Sequence, residues 1–130
     1  MPERNDPRAI ALAYLDAVGR KDYQAFEGLL APDVTFNGPA ATLSGAPDVA
    51  AAYRRLGAML LHNDLQKAFV DGKDVCLIYD FVTDTSVGAV PTMEWLTIED
   101  GRVSAIRILT DHIRWPTALQ ELGRRAQKTS

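Results

Sequence analysis

The chain has very little cysteine: Cys76 is alone among 130 residues. A single thiol cannot close an internal disulfide, and this one sits in an apolar run where buried thiols are commonplace. A disulfide-framed secreted scaffold is excluded, and a reducing, cytoplasmic home is expected. Basic clusters are equally scarce. No run exceeds Arg124-Arg125 and the formal charge is -3, which leaves little electrostatic footprint for nucleic acid or an anionic membrane. No window approaches the roughly 18 apolar residues of a membrane span, and Met1 to Arg8 lacks the apolar core of a signal peptide. The two histidines, His62 and His112, and Cys76 show no ligand spacing, so no metal site is expected. There is neither a phosphate loop nor a Gly-x-Ser-x-Gly elbow, which removes support for nucleotide binding and serine hydrolysis; no cofactor is expected. Internal repeats and low-complexity segments are missing too.

What is present is ordinary globular material. Apolar residues make up 47% and charged residues 24%, which sets aside disordered and fibrous classes. The length fits one domain over 1–130, with a core of about 6–115 and a short helix and polar tail over 116–130.

Asp6-Pro7 pairs a capping carboxylate with a proline suited to the first helical position. Ile10, Tyr14 and Val18 follow at spacing four, with Ala11, Leu15 and Ala17 beside them, so a helix is expected there, stopped by Gly19. Asp22 is placed to cap a second helix facing Phe26, Leu29 and Leu30 inward and ending at Ala31-Pro32. Val34-Thr35-Phe36 reads as a short strand that runs into a loop at Asn37-Gly38-Pro39. A third helix is expected from Ala46-Pro47-Asp48, with Val49, Tyr53, Leu56 and Leu60 on one face, ending around His62-Asn63. His62 would then be a cation at a helix end, where the dipole favours it.

Leu65 to Val70 alternates as a strand, and Asp71-Gly72 turns it into three more over 75–84, 90–98 and 102–109. Connections this short demand antiparallel neighbours. Both parities of these strands are largely apolar. Leu77, Tyr79, Phe81 and Leu96 fall on one face, while Cys76, Ile78, Val82, Met93 and Trp95 fall on the other. A sheet with one wet face alternates apolar and polar, so this one is expected to be covered on both sides: by helices on one, and by a second copy of the chain on the other, forming a homodimer through its outer face. Trp115-Pro116 opens a last, short helix through Leu119 and Leu122.

The expected class is therefore α+β, with helices packed across a curved antiparallel sheet and a conical cavity between them. The order resembles the nuclear transport factor 2-like superfamily, and within it the SnoaL-like and steroid Δ-isomerase-like branch, as a cone-shaped, cystatin-like α+β barrel. Ala13-Tyr14-Leu15-Asp16-Ala17, Asp22-Tyr23 and Leu30-Ala31-Pro32-Asp33-Val34-Thr35-Phe36 are similar to that superfamily's opening helices and strand. Ser44-Gly45 and Glu99-Asp100-Gly101-Arg102-Val103 match it further on. The scaffold hosts enzymes, binding proteins and transport adaptors, so the resemblance implies a fold more than a reaction.

Laid against the isomerases, Tyr14 falls on the tyrosine that donates to the substrate oxyanion, Tyr53 on a supporting tyrosine, and Glu94 on an acid kept protonated beside them. Such a neutral acid in an oxyanion hole is a known device of that isomerase. Strand parity supports part of this independently. Glu94 shares a face with Leu96 and Ile98, and a carboxyl group facing an apolar cavity is expected to stay neutral and able to donate. Tyr14 on an apolar stripe also fits a core residue with its hydroxyl satisfied. Phe36, Tyr79, Phe81 and Leu96 join Tyr53 as candidate ligand-binding walls.

One departure matters. Where the isomerases carry the carboxylate that moves the proton, this chain reads Phe36-Asn37-Gly38-Pro39, and neither Asn nor Gly is a base at neutral pH. Asp111 and His112, just past the last strand, are the remaining candidates for proton transfer; either also suits a cap for the following turn. The Asp-Arg-Asp set of the epoxide hydrolases is not matched: Asp80 and Arg107 point by parity to the outer face, where a cross-strand or intersubunit salt bridge is expected. Two readings result. One is a cofactor-independent isomerase or cyclase acting by proton transfer next to a carbonyl on a steroid- or polyketide-like substrate. The other is a non-catalytic dimeric ligand-binding or interaction module.

Overall fold

A computed structural model describes residues 6–129, with side chains described over 6–127. Residues 1–5, on which most of the signal-peptide reading rests, and residue 130 at the end of the polar tail lie outside the described residues.

Local signals place the first two helices. Helix α1 (Pro7–Arg20) is capped by Asp6, whose carboxylate accepts from the Ala9 N–H at 3.3 Å. Gly19 does not stop it. The helix runs one residue further and closes on Lys21, left-handed at φ 59, whose N–H bonds the Val18 carbonyl at 3.1 Å. Asp22 caps α2 (Tyr23–Gly28), accepting from the Ala25 N–H at 3.1 Å. This helix ends at Gly28, ahead of Ala31-Pro32, because Leu30 already opens strand β1 (Leu30–Asn37). After the Asn37-Gly38-Pro39 turn comes β2 (Thr42–Ser44), a strand the sequence reading did not contain.

Helix α3 (Ala46–Leu56) buries Val49, Ala50 and Tyr53. Its expected end at His62-Asn63 is corrected: the helix stops at Leu56, and β3 (Leu60–Asp71) starts four residues on. The spacing from Leu56 to Leu60 suits a helix, but four is also even, so it keeps a side chain on one face of a strand. His62 is consequently an exposed strand residue, six positions past the end of α3. Gly57 ends α3 where space is short, since a Cβ there would stand 1.6 Å from the Tyr23 hydroxyl.

Strands β3, β4 (Asp74–Thr83), β5 (Ala89–Glu99) and β6 (Arg102–Thr110) are antiparallel in sequence order. Gly72 turns the first pair at φ 59, and Asp100-Gly101 turns the last with φ 52 and 76, both positive as a two-residue hairpin of that type requires. The sheet order is β2-β1-β6-β5-β4-β3. It is curved and open, not a closed barrel, and the parallel pairing of β1 on β6 seats Thr35 beside Ala105. The expected parity holds along β4 and β5: Val75, Leu77, Tyr79, Phe81, Val90, Thr92, Glu94 and Leu96 are buried, while Met93 and Trp95 are exposed.

Helix α4 (Arg114–Thr129) is longer than the short segment expected. Asp111 caps it, its Oδ1 accepting from the N–H groups of Ile113 and Arg114 at 2.8 Å each. The helix lies across the cone. Ala118 is fully buried and the Trp115 ring stands edge-on to Phe81 at 5.7 Å. Further along, Glu121 accepts from the Ser86 N–H at 3.2 Å and from its hydroxyl, and Arg125 pairs with Asp84 at 2.6 Å. Both contacts tie α4 to the connection between β4 and β5.

Candidate functional site

Four elements deliver one polar cluster to the inside of the cone. Glu94, on β5, lies opposite Leu77 on one neighbouring strand and Ile108 on the other, and is fully buried. Tyr14 comes from α1, Tyr53 from α3 and Tyr79 from β4. The Tyr53 hydroxyl donates to Glu94 Oε1 at 3.0 Å and the Tyr79 hydroxyl to Oε2 at 2.6 Å. Tyr14 donates to Oε1 as well, and its hydroxyl is 2.5 Å from that of Tyr53. Phe26 supports the arrangement, its ring 5.0 Å from Tyr14 and 4.6 Å from Tyr53.

Burial is the larger influence on the acid. It pushes the Glu94 carboxyl above its ordinary value, against the opposing pull of the phenol donors, Tyr14 first. The three phenols are raised well above theirs, by burial and then by the negative charge Glu94 would carry. Proton counting agrees with a neutral acid. The group has four oxygen–oxygen contacts. Three phenols and a neutral carboxyl carry four protons, one for each contact provided that the carboxyl donates along one of its own; an ionised carboxyl leaves one contact between bare lone pairs. The four protons counted this way are all engaged within the cluster, so an oxygen arriving beside it accepts by taking over one of these hydrogen bonds.

Beside the cluster is a cavity of about 40 Å³, walled by Tyr53, Tyr79 and Glu94 together with Phe36, Phe81, Leu15, Val18, Ile108 and other apolar side chains. This is room for a few waters, well below the roughly 300–1,000 Å³ of drug-sized pockets. A steroid or polyketide would need its walls to part.

Tyr14, Tyr53, Tyr79 and Glu94 are thus brought together, with Phe36 and Phe81 in the same cavity. Tyr14 is not itself in the wall and stands behind Tyr53; Leu96 is buried in the core and also outside the wall. Asp111 and His112 do not join them. Asp111 is occupied as the cap of α4, its carboxyl lowered by the backbone N–H groups of Arg114 and Ile113. His112 borders a different groove of about 290 Å³ with Asn37, Gly38 and Pro39.

Sequence reasoning missed Thr92, Thr110 and Trp115, which also line the cavity. The first two were within reach, since Glu94 fixes the inward parity of β5 and Thr110 is the register partner of Thr92. Trp115 gave no such signal, because its place depends on where α4 docks. On the outer face, Arg107 stacks on Trp95 at 3.7 Å and donates to Thr97 Oγ1 at 3.3 Å. A cross-strand bridge from Asp80 to Arg107 is not formed, as β5 separates their strands. Among the described residues, no group of three or more His, Cys, Asp or Glu is arranged to hold a metal, and no helix is long and apolar enough to cross a membrane.

Known proteins place this geometry in context. No curated protein matches the chain. Among solved structures, a protein from Kribbella flavida DSM 17836 is 28% identical, with a TM-score of 0.77 over 93% of this chain and 95% of that one. A candidate polyketide cyclase from Sinorhizobium meliloti is 21% identical, with a TM-score of 0.72 over 77% and 93%. A candidate ketosteroid isomerase from Kribbella flavida is 19% identical, with a TM-score of 0.73 over 85% and 80%. The last two likenesses speak for the fold alone, one shared by proteins described as nuclear transport factor 2-like and cystatin-like. The family model of the SnoaL-like domain matches residues 11–106, from the first helix to the last strand and including Tyr14, Tyr53, Tyr79 and Glu94; the chain belongs to the SnoaL-like family.

Proposed function

We propose that this chain is a pocket protein for a small, apolar carbonyl compound, and that it promotes proton transfer next to the carbonyl in the manner of an isomerase or cyclase. The observation that carries this reading is the fully buried Glu94, bonded by three phenols at the wall of a largely apolar cavity. A carbonyl oxygen entering beside Tyr53 and Tyr79 accepts a hydrogen bond from the cluster. As a water admitted to the cavity takes the α-proton, the negative charge developing on the oxygen is shared with these donors in a largely apolar site, where they are most effective.

A second reading, a binding module without catalysis, draws on a different observation. Among the described residues lining the cavity, Glu94 is the only carboxylate or imidazole group, and Asn37-Gly38 stands where the isomerases carry their base. Incubation with 2-hexanone in deuterated water separates the two, with loss of the α-proton signals followed by NMR. The wild-type chain is expected to accelerate exchange, Tyr79→Phe to slow it about 5-fold, the scale of one hydrogen bond, and Glu94→Gln to slow it further. Binding without exchange selects the second reading; no binding overturns both.

In either case the protein is proposed to work as a cytoplasmic homodimer joined through the outer sheet face. Phe69, Met93, Trp95 and Leu109 border one groove of about 390 Å³ there, all of them exposed in the single chain.

A further inference from the structure

Among the described residues, the buried side-chain atoms without a hydrogen-bond partner are both amide atoms of Asn63, the Thr110 hydroxyl oxygen and the Trp115 indole nitrogen. Thr110 and Trp115 both line the cavity. A buried donor with no partner is costly and uncommon in folded proteins, so two such atoms on one cavity wall call for a common explanation. Asn63 is not in that wall and needs another.

The sheet register places the pair relative to Glu94. Thr110 lies opposite Thr92, whereas Glu94 lies opposite Ile108, two residues along the same strands. At about 3.3 Å per residue the two rows are about 7 Å apart. Thr92 is already satisfied through the Val90 carbonyl at 2.9 Å, which leaves Thr110 as the open hydroxyl of its row. Chemistry fixes the partner. An indole N–H can only donate, and a threonine hydroxyl donates as readily as it accepts. The group both can serve is an acceptor oxygen, whose two lone pairs take one bond from each.

We propose that Thr110 and Trp115 form a second polar subsite, so that the ligand is a slim compound carrying two oxygen functions: one seated at the Glu94 cluster and an acceptor seated between Thr110 and Trp115. This rests on the pocket reading above and narrows it, from any small apolar carbonyl compound to a dioxygenated one such as a γ-diketone. A narrow chain also asks the walls of a cavity of about 40 Å³ to part less than a ring would.

The test compares 2,5-hexanedione with 2-hexanone, which has the same carbon skeleton and one oxygen fewer. Each is titrated into the full chain while the two indole N–H resonances are followed by NMR, that of Trp115 being identified by its loss in Trp115→Phe. The dione is expected to bind tighter by on the order of 5–100-fold, for two added hydrogen bonds, and to move the Trp115 resonance downfield. In Thr110→Val the affinity ratio of dione to monoketone is expected to fall toward one; a merely disturbed fold would weaken both and leave the ratio in place. Equal affinities in the wild-type chain with an unmoved Trp115 resonance overturn the subsite and leave the pocket reading standing. Failure of both ketones to bind overturns both.

Discussion

Glu94 is a carboxyl group taken out of water and given phenols as its hydrogen-bond partners. Because folding raises its pKa, the sign of its contribution is set: it stabilises the fold while protonated, fully so below its unfolded value, and that stabilisation is lost as pH rises through the folded value. Glu94→Gln has no such loss. The difference in urea midpoint between Glu94→Gln and wild type is expected to move in favour of the variant from about pH 4, below the unfolded carboxyl value, to pH 9, and a constant difference across that window would show that folding does not raise the Glu94 pKa. Tyr14 makes a second test. Tyr14→Phe removes its contacts with both Tyr53 and Glu94 and leaves them short of a partner in a buried place, a cost of about 1–3 kcal/mol in urea unfolding. Since Tyr53 shares the same carboxylate oxygen, the double variant Tyr14→Phe/Tyr53→Phe is expected to cost less than the two single losses added together.

Elements were legible in the sequence to the degree that their signals are local. Asp6 and Asp22 announce α1 and α2 because a cap acts within three residues, and Asp6→Ala is expected to cost about 1 kcal/mol by thermal or urea unfolding. Strand parity grouped Tyr79, Phe81, Glu94 and Leu96 on one face of β4 and β5, but with both faces largely apolar it took the resemblance of Tyr14 and Glu94 to the isomerases to say which face points inward. The end of α3 was hidden, because a spacing of four serves both helix and strand. The β1–β6 pairing was hidden as well: no local pattern says which distant strand a short segment joins. Asp111 and His112 directly follow the cavity-lining Thr110, yet the strand ends there and its alternation no longer applies. The docking of α4 had no sequence signal beyond its own apolar stripe. Its small fully buried residue offers a check, for Ala118→Leu should overfill the contact and cost about 1–3 kcal/mol of stability.

For the molecule as a whole, the outer sheet face exposes Phe69, Met93, Trp95 and Leu109 together in the single chain. Trp95 is its best anchor. Its indole nitrogen donates to Asp74 at 3.0 Å and the Arg107 guanidinium covers its ring, so the side chain is held in place before any partner arrives. Sedimentation of the wild type at micromolar concentration is expected to give a dimer and Trp95→Asp a monomer; an unchanged mass in the variant would move the interface elsewhere. The parallel seat of β1 against β6 bears on how such a chain is made. Sequence-distant pairing is slow to form, and here the first strand of the chain waits for the last one synthesised. A nascent chain halted before Arg102 holds α1, α2 and β1 without the strand that seats them; one halted before Arg114 completes the sheet but leaves Phe81 and the tyrosine cavity open, bare apolar surface for whatever first meets it at the ribosome.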